Sequence, residues 1–128
     1  KNVAAMELEQ MRAAGLSGAK AKTIQGLAEA ALNKTVDFKN LHDQSDEDVY
    51  RDLTSLWGIG PWTVDMFMMF QLGRLDIWPT GDLGVRRGWE RLHKLKDEIT
   101  PDELGKKGEK FRPHRSIVAW YCWRVLDI

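Results

Sequence analysis

A single cysteine, Cys122, stands among 128 residues. One thiol excludes a disulfide framework, a four-cysteine zinc site and a cysteine-held iron–sulfur cluster within this chain. Its setting in Ala-Trp-Tyr-Cys-Trp reads as a small core residue rather than a nucleophile. Long apolar runs are missing too. The longest, Met66 to Phe70, is far too short to span a membrane. With no signal-peptide pattern, the sequence is expected to work in the cytoplasm, at the nucleoid in a bacterium, or in the nucleus of a eukaryote. Net charge is also lacking: 19 basic side chains balance 19 acidic ones. That argues against a binder held to nucleic acid by charge alone. Finally, runs that alternate apolar and polar residues are almost absent, so a sheet is not expected.

What remains is helix punctuation. A first helix, Val3 to Ala14, is stopped by Gly15. Ser17 caps a second that runs to about Leu32. After a polar connector, Ser45 caps a third, with Asp46, Glu47 and Asp48 in the first turn, where the macrodipole favours them. Pro61 suits the first position of a fourth helix, Trp62 to Leu72, which is apolar nearly all round and is expected to be central and buried. Asp82 stands at the N-cap of a fifth. Thr100-Pro101-Asp102-Glu103 is a capping-box pattern opening a sixth. Pro113 is expected to start the last. The reading is an all-α single domain over residues 1–128, a bundle of about seven short helices.

The charge is not evenly spread. Residues 1–72 carry 7 basic and 10 acidic side chains, and residues 73–128 carry 12 and 9. A solvated face explains such a bias as well as a phosphate-facing one does.

Between the third and fourth helices lies Leu56-Trp57-Gly58-Ile59-Gly60-Pro61-Trp62-Thr63. Two glycines let the backbone turn tightly and approach another molecule closely. Amides just after such a turn open a helix, which is a natural phosphate site. A plain helix–helix turn with a glycine cap fits the same letters. The sequence is also rich in tryptophan, with six. Trp89 and Trp120 are expected in the core, Trp57 behind the turn, and Trp78 either in the core or near the site. Asp65, on the apolar helix, needs a partner rather than an unpaired charge, and Arg115 is the expected one. His42, His93 and His114 have no metal-ligand spacing and read as surface or capping residues.

Three spaced motifs together resemble the helix–hairpin–helix DNA glycosylase superfamily. They are the glycine turn, Asp82 following Trp78-Pro79, and Phe111-Arg112-Pro113-His114-Arg115-Ser116 with its aromatic continuation to Trp123. The closest likeness is to the alkylpurine branch, the 3-methyladenine DNA glycosylase II type, and it covers the chain from Gly15-Leu16 onward. The resemblance implies a hairpin at 53–64, double-stranded DNA with damaged bases as partner, and hydrolysis of the bond between base and deoxyribose. It implies Asp82 as the carboxylate beside the sugar. It also implies phosphate contacts at Gly58, Gly60, Trp62 and Thr63, and a base pocket built with Trp62, Met66 and Trp123. A monovalent cation, Na+ or K+, would sit on the backbone carbonyls of Thr54, Leu56 and Ile59, with no side-chain metal ligands and no other cofactor.

Strand-cutting relatives carry a lysine where this sequence has Trp62, so a monofunctional enzyme is expected, one that uses water and leaves an abasic site. Met66 and Gly81 stand where a relative has a pocket tyrosine and a second aspartate. Family members have further helices before the region that starts at Lys1. A C-terminal part of a longer, otherwise monomeric protein is therefore expected, with its N-terminal part as a partner. A rival reading is a non-catalytic helix–hairpin–helix DNA-binding module, which has no use for Asp82 or for converging aromatics. A third, a mismatch-adenine or endonuclease-III-like glycosylase, lacks its usual iron–sulfur cysteines here.

Overall fold

The structure, a computed structural model, describes residues 1–128 and contains helices without strands. Seven α-helices are present, as the punctuation predicts, with longer connectors at residues 33–45 and 71–82. They are α1 (Leu8–Ala13), α2 (Gly18–Leu32), α3 (Asp46–Thr54), α4 (Pro61–Phe70), α5 (Leu83–His93), α6 (Pro101–Gly108) and α7 (Arg115–Leu126). Single 3-10 turns lie at Leu41–Asp43 and Glu109–Phe111. None of the helices is long and apolar enough to cross a membrane.

The capping residues read from the sequence sit where the physics places them. Ser17 Oγ accepts from Lys20 N and Ser45 Oγ from Asp48 N, each at 3.2 Å. Thr100 and Glu103 close a reciprocal capping box. Two helix starts differ from expectation. α1 begins at Leu8, because Glu7 caps it by a box with Gln10. α7 begins at Arg115, after the Pro113 turn, with His114 at its N-cap.

The sequence reads as one domain, and the chain divides into two compact units, Lys1–Val64 and Asp65–Ile128. In the first, Met11, Leu41, Val49 and Leu53 are buried. In the second, one core gathers Trp78, Val85, Trp89, Ile99, Leu104, Ala119 and Cys122. Indole rings dominate it. Trp78 and Trp89 meet edge to face at 5.8 Å, the geometry that a ring quadrupole favours. The Trp78 indole N–H donates to Leu104 O at 2.8 Å, so its polar atom is satisfied inside the core. Gly108 leaves the space that this indole fills, for a Cβ there would overlap it. Cys122 is fully buried, and burial pushes its thiol up to about 11. It is a packing residue.

α4 is less uniformly buried than its composition suggests. Val64, Asp65 and Met68 are buried, but Trp62 and Phe70 at its ends are 52% and 68% exposed. Trp120 likewise is not a core residue; it is 49% exposed on α7. Both departures have one cause. An apolar stripe read from sequence says that a residue is able to pack, not which side of the helix finds a neighbour.

Candidate functional site

In the first unit, the turn between α3 and α4 is built on α2. Gly58 adopts φ +80°, a conformation that suits glycine. There is no room for a side chain either, because a Cβ at Gly58 would run into the Thr23 hydroxyl. Gly60 is the opposite case: a Cβ there would meet nothing within 4 Å. The α4 ladder begins at Val64 N, which bonds to Gly60 O at 3.2 Å. The amides of Gly60 and Thr63 make no backbone hydrogen bond, and Pro61 has no amide to offer. Amides at a helix start beside an open glycine form an anion-binding surface. Trp62 is exposed at this same helix start.

The turn's carbonyls fit the donor set of a monovalent cation. Those of Thr54 and Ile59 accept no backbone hydrogen bond from the turn, and Leu56 O accepts one, from Ile59 N at 3.2 Å. Uncharged carbonyl oxygens suit a weakly held alkali cation.

The second unit centres on Asp82. It is the N-cap of α5, and its Oδ1 accepts from Val85 N at 2.8 Å. The same oxygen accepts from the indole N–H of Trp123 on α7, also at 2.8 Å. A helix end and a neighbouring helix therefore hold one carboxylate. Trp123 in turn stacks on Phe70, with ring centres 5.8 Å apart and planes 27° apart.

The close approach of α7 to α5 is made by two glycines one turn apart. A Cβ at Gly88 would overlap the backbone carbonyl of Cys122. A Cβ at Gly84 would stand 2.9 Å from Trp123 Cδ1 and 3.1 Å from Asp82 Oδ1. Sequence reasoning gave these glycines no role. Their four-residue spacing inside a helix was the signal for a tight helix–helix contact.

The segment leading to Asp82 is fastened to the start of α7. Arg115 Nε donates to Asp76 Oδ1 at 2.7 Å, and Nη2 to Asp76 Oδ2 at 3.0 Å. Ser116 Oγ donates to Arg74 O and accepts from Ile77 N, each at 2.8 Å. The Arg115 hydrogen bond is the main reason that the Asp76 carboxyl lies below its usual range. The expected pairing of Arg115 with Asp65 is thus corrected. Arg115 is spent on Asp76, because the loop carboxylate lies at the helix end where the guanidinium starts.

Asp65 is 7% exposed on α4. Its carboxyl is pushed up to about 7, first by burial and second by the negative charge of Asp82. The structure therefore brings Asp82, Trp123 and the influence of Asp65 together. Met66, the residue after Asp65, is half-buried. No three His, Cys, Asp or Glu side chains are grouped to hold a metal. His93 Nδ1 lies 3.0 Å from Trp89 O, a carbonyl that can only accept from it, and its ring stacks on that of Trp89, which is a helix-end role.

This geometry has counterparts among known proteins. The family described as "HhH-GPD superfamily base excision DNA repair protein" matches residues 1–114. DNA-3-methyladenine glycosylase 1 of Schizosaccharomyces pombe is 36% identical over 94% of this chain and 53% of its own length. The alkylbase DNA glycosidase-like protein mag2 of the same yeast is 32% identical over 98% of this chain and 59% of its own. The chain thus spans a little over half the length of these relatives. Among solved structures, S. pombe 3-methyladenine DNA glycosylase Mag1 in complex with abasic DNA superposes with a TM-score of 0.92 at 34% identity. That match covers 99% of this chain and 62% of Mag1. A DNA-3-methyladenine glycosidase from Bacillus halodurans gives 0.84 at 33% identity, over 94% and 56%. The chain belongs to the HhH-GPD superfamily of base excision DNA repair proteins.

Proposed function

We propose that the protein is a monofunctional DNA glycosylase that hydrolyses the N-glycosidic bond of alkylated, 3-methyladenine-like bases in double-stranded DNA. The observation that carries this reading is the fixed carboxylate of Asp82, held on one oxygen by Val85 N and Trp123 Nε1. When the bond from C1′ to the base breaks, its electron pair leaves with the base and positive charge develops on the sugar. A carboxylate already oriented there lowers the energy of that charge without having to reorganise. Water then adds to C1′ and loses a proton, leaving an abasic site.

Two features favour an alkylated base. Such a purine carries positive charge, and indole faces attract cations. Trp123, bonded to Asp82, supplies a face of that kind, and Trp62 and Met66 are the further base-pocket residues that the family resemblance implies. Trp62 also takes the place of the amine that a strand-cutting lyase needs, which supports hydrolysis alone. The backbone at Gly58, Gly60, Trp62 and Thr63 docks a phosphate, with Na+ or K+ on the carbonyls of Thr54, Leu56 and Ile59 adding charge nearby. The protein works as a monomer wherever the genome is kept, in the cytoplasm or the nucleus. The part of the protein that its relatives carry beyond the matched span completes the domain.

The test is abasic-site formation in methylated duplex DNA by the full-length protein. Release of 3-methyladenine in proportion to enzyme supports the reading. Tight duplex binding without base release would point instead to a non-catalytic binding module.

A further inference from the structure

The first unit is poor in cations for something that grips a polyanion. Residues 1–64 hold seven basic and nine acidic side chains. Arg51 is already engaged, 2.7 Å from Asp48 and 3.1 Å from Asp52. The glycine turn itself offers amide dipoles but no full charge.

Lys22 lies beside that turn. Its Nζ sits 4.0 Å from the ring centre of Trp57, the residue immediately before Gly58. Trp57 is not packed behind the hairpin, as its apolar character suggests; it is 53% exposed. The next residue of α2, Thr23, is the one that leaves no room for a Cβ at Gly58. Two successive residues of α2 therefore address two successive residues of the turn, one by shape and one by charge. Lys22 has no carboxylate partner, and its ammonium rests on an indole face that is open to solvent. A ring in this place contributes little to a core. What it does is restrict a flexible lysine head to one side of the turn.

We propose that Lys22, held in place by Trp57, is a second DNA-phosphate contact adjoining the Gly58–Gly60 turn. The proposal rests on the reading of that turn as the DNA grip and adds a full charge to it. A compact ammonium suits a phosphate contact that needs no fixed fork geometry. Such a contact positions the duplex and carries no base information.

Salt dependence separates this role from mere packing. Affinity for an undamaged duplex is measured between about 50 and about 300 mM KCl for the full-length protein and three variants. Lys22→Gln should lower the slope of log K against log salt by about 0.9, and weaken binding by up to about eightfold at 0.1 M, equally on every sequence. Trp57→Leu keeps the charge, so it should keep the slope while losing about twofold in affinity. An unchanged slope in Lys22→Gln overturns the proposal. Wild-type affinity in Trp57→Leu overturns the part assigned to the ring. Gly60→Val shows which reading has failed. If it weakens binding while Lys22→Gln does nothing, the turn remains the grip and Lys22 is excluded. If neither has an effect, the grip lies elsewhere and the proposal falls with it. If only Lys22→Gln acts, the lysine contact stands without the amides.

Discussion

Trp123 donates its indole hydrogen to Asp82 Oδ1 at 2.8 Å, the same oxygen that receives the Val85 amide at 2.8 Å. The helix-cap bond and the cross-helix bond converge on one atom, so removing the charge and removing the shape are separable experiments. Asp82→Asn keeps an oxygen acceptor, and asparagine caps a helix as well as aspartate does. Its thermal melt should stay close to wild type. Single-turnover excision should fall by about two orders of magnitude, roughly 3 kcal/mol of transition-state stabilisation. Asp82→Ala should lose excision and about 1 kcal/mol of stability as well. Full activity in the asparagine variant would remove Asp82 from the chemistry.

Trp123 has two separable properties, an aromatic face and an N–H. Trp123→Phe keeps the first and loses the second. With one of two donors gone, Asp82 is less firmly held, so excision should drop about tenfold on cationic and neutral damaged bases alike. Trp123→Leu loses the face too, and an additional loss confined to cationic bases should appear, about 1–2 kcal/mol. If Trp123→Phe excises at the wild-type rate, the N–H does not orient the carboxylate.

Gly84 and Gly88 should fail in different ways. An added methyl at Gly88 meets a backbone carbonyl that cannot step aside, so Gly88→Ala should cost about 3 kcal/mol and show as a lower Tm. At Gly84 the methyl meets the Trp123 side chain at 2.9 Å. Gly84→Ala should melt nearly normally and excise poorly, because the indole must shift away from Asp82. Equal effects of the two substitutions on Tm would contradict this division.

Asp65 predicts a pH dependence with a defined sign. Its carboxyl titrates at about 7 when folded, against an ordinary value of 3.8. Between those values the folded state holds a proton that the unfolded chain releases. Stability therefore falls as pH rises through that window, and the loss is complete above about 7. Asp65→Asn removes the titration and keeps the size. The variant should melt above wild type at pH 8, by on the order of 4 kcal/mol at most, with the gap closing toward pH 4. A lower melt at pH 8 would show that the ionised carboxylate is itself stabilising.

Local chemistry was the legible part of this chain. Ser17, Ser45, Asp82 and Thr100 were readable as caps because a cap depends on the next three residues and nothing else. The glycine turn was readable because φ > 0 and close approach leave few other choices. What the letters did not show were the long-range pairings. Whether Arg115 meets Asp65 or Asp76 depends on where a loop 39 residues away returns. The exposure of Trp57 and Trp120 depends on which face of each helix finds a neighbour. Trp123 was picked out for its ring, whereas the structure adds a use for its N–H, which is visible only once α7 lies against α5.

The clasp between Asp76 and Arg115 has a mechanical side. From Asp76 the chain runs to Asp82, which is bonded to Trp123; from Trp123, α7 runs back to Arg115, which is bonded to Asp76. These two polar contacts and two lengths of chain make a closed four-sided loop, one side of which is a helix. A loop tied at two places cannot open at one tie without pulling on the chain that leads to the other. The carboxylate at its corner is thus tethered from both ends of one loop, and loosening Asp76 should be felt as positional play at Asp82, six residues away.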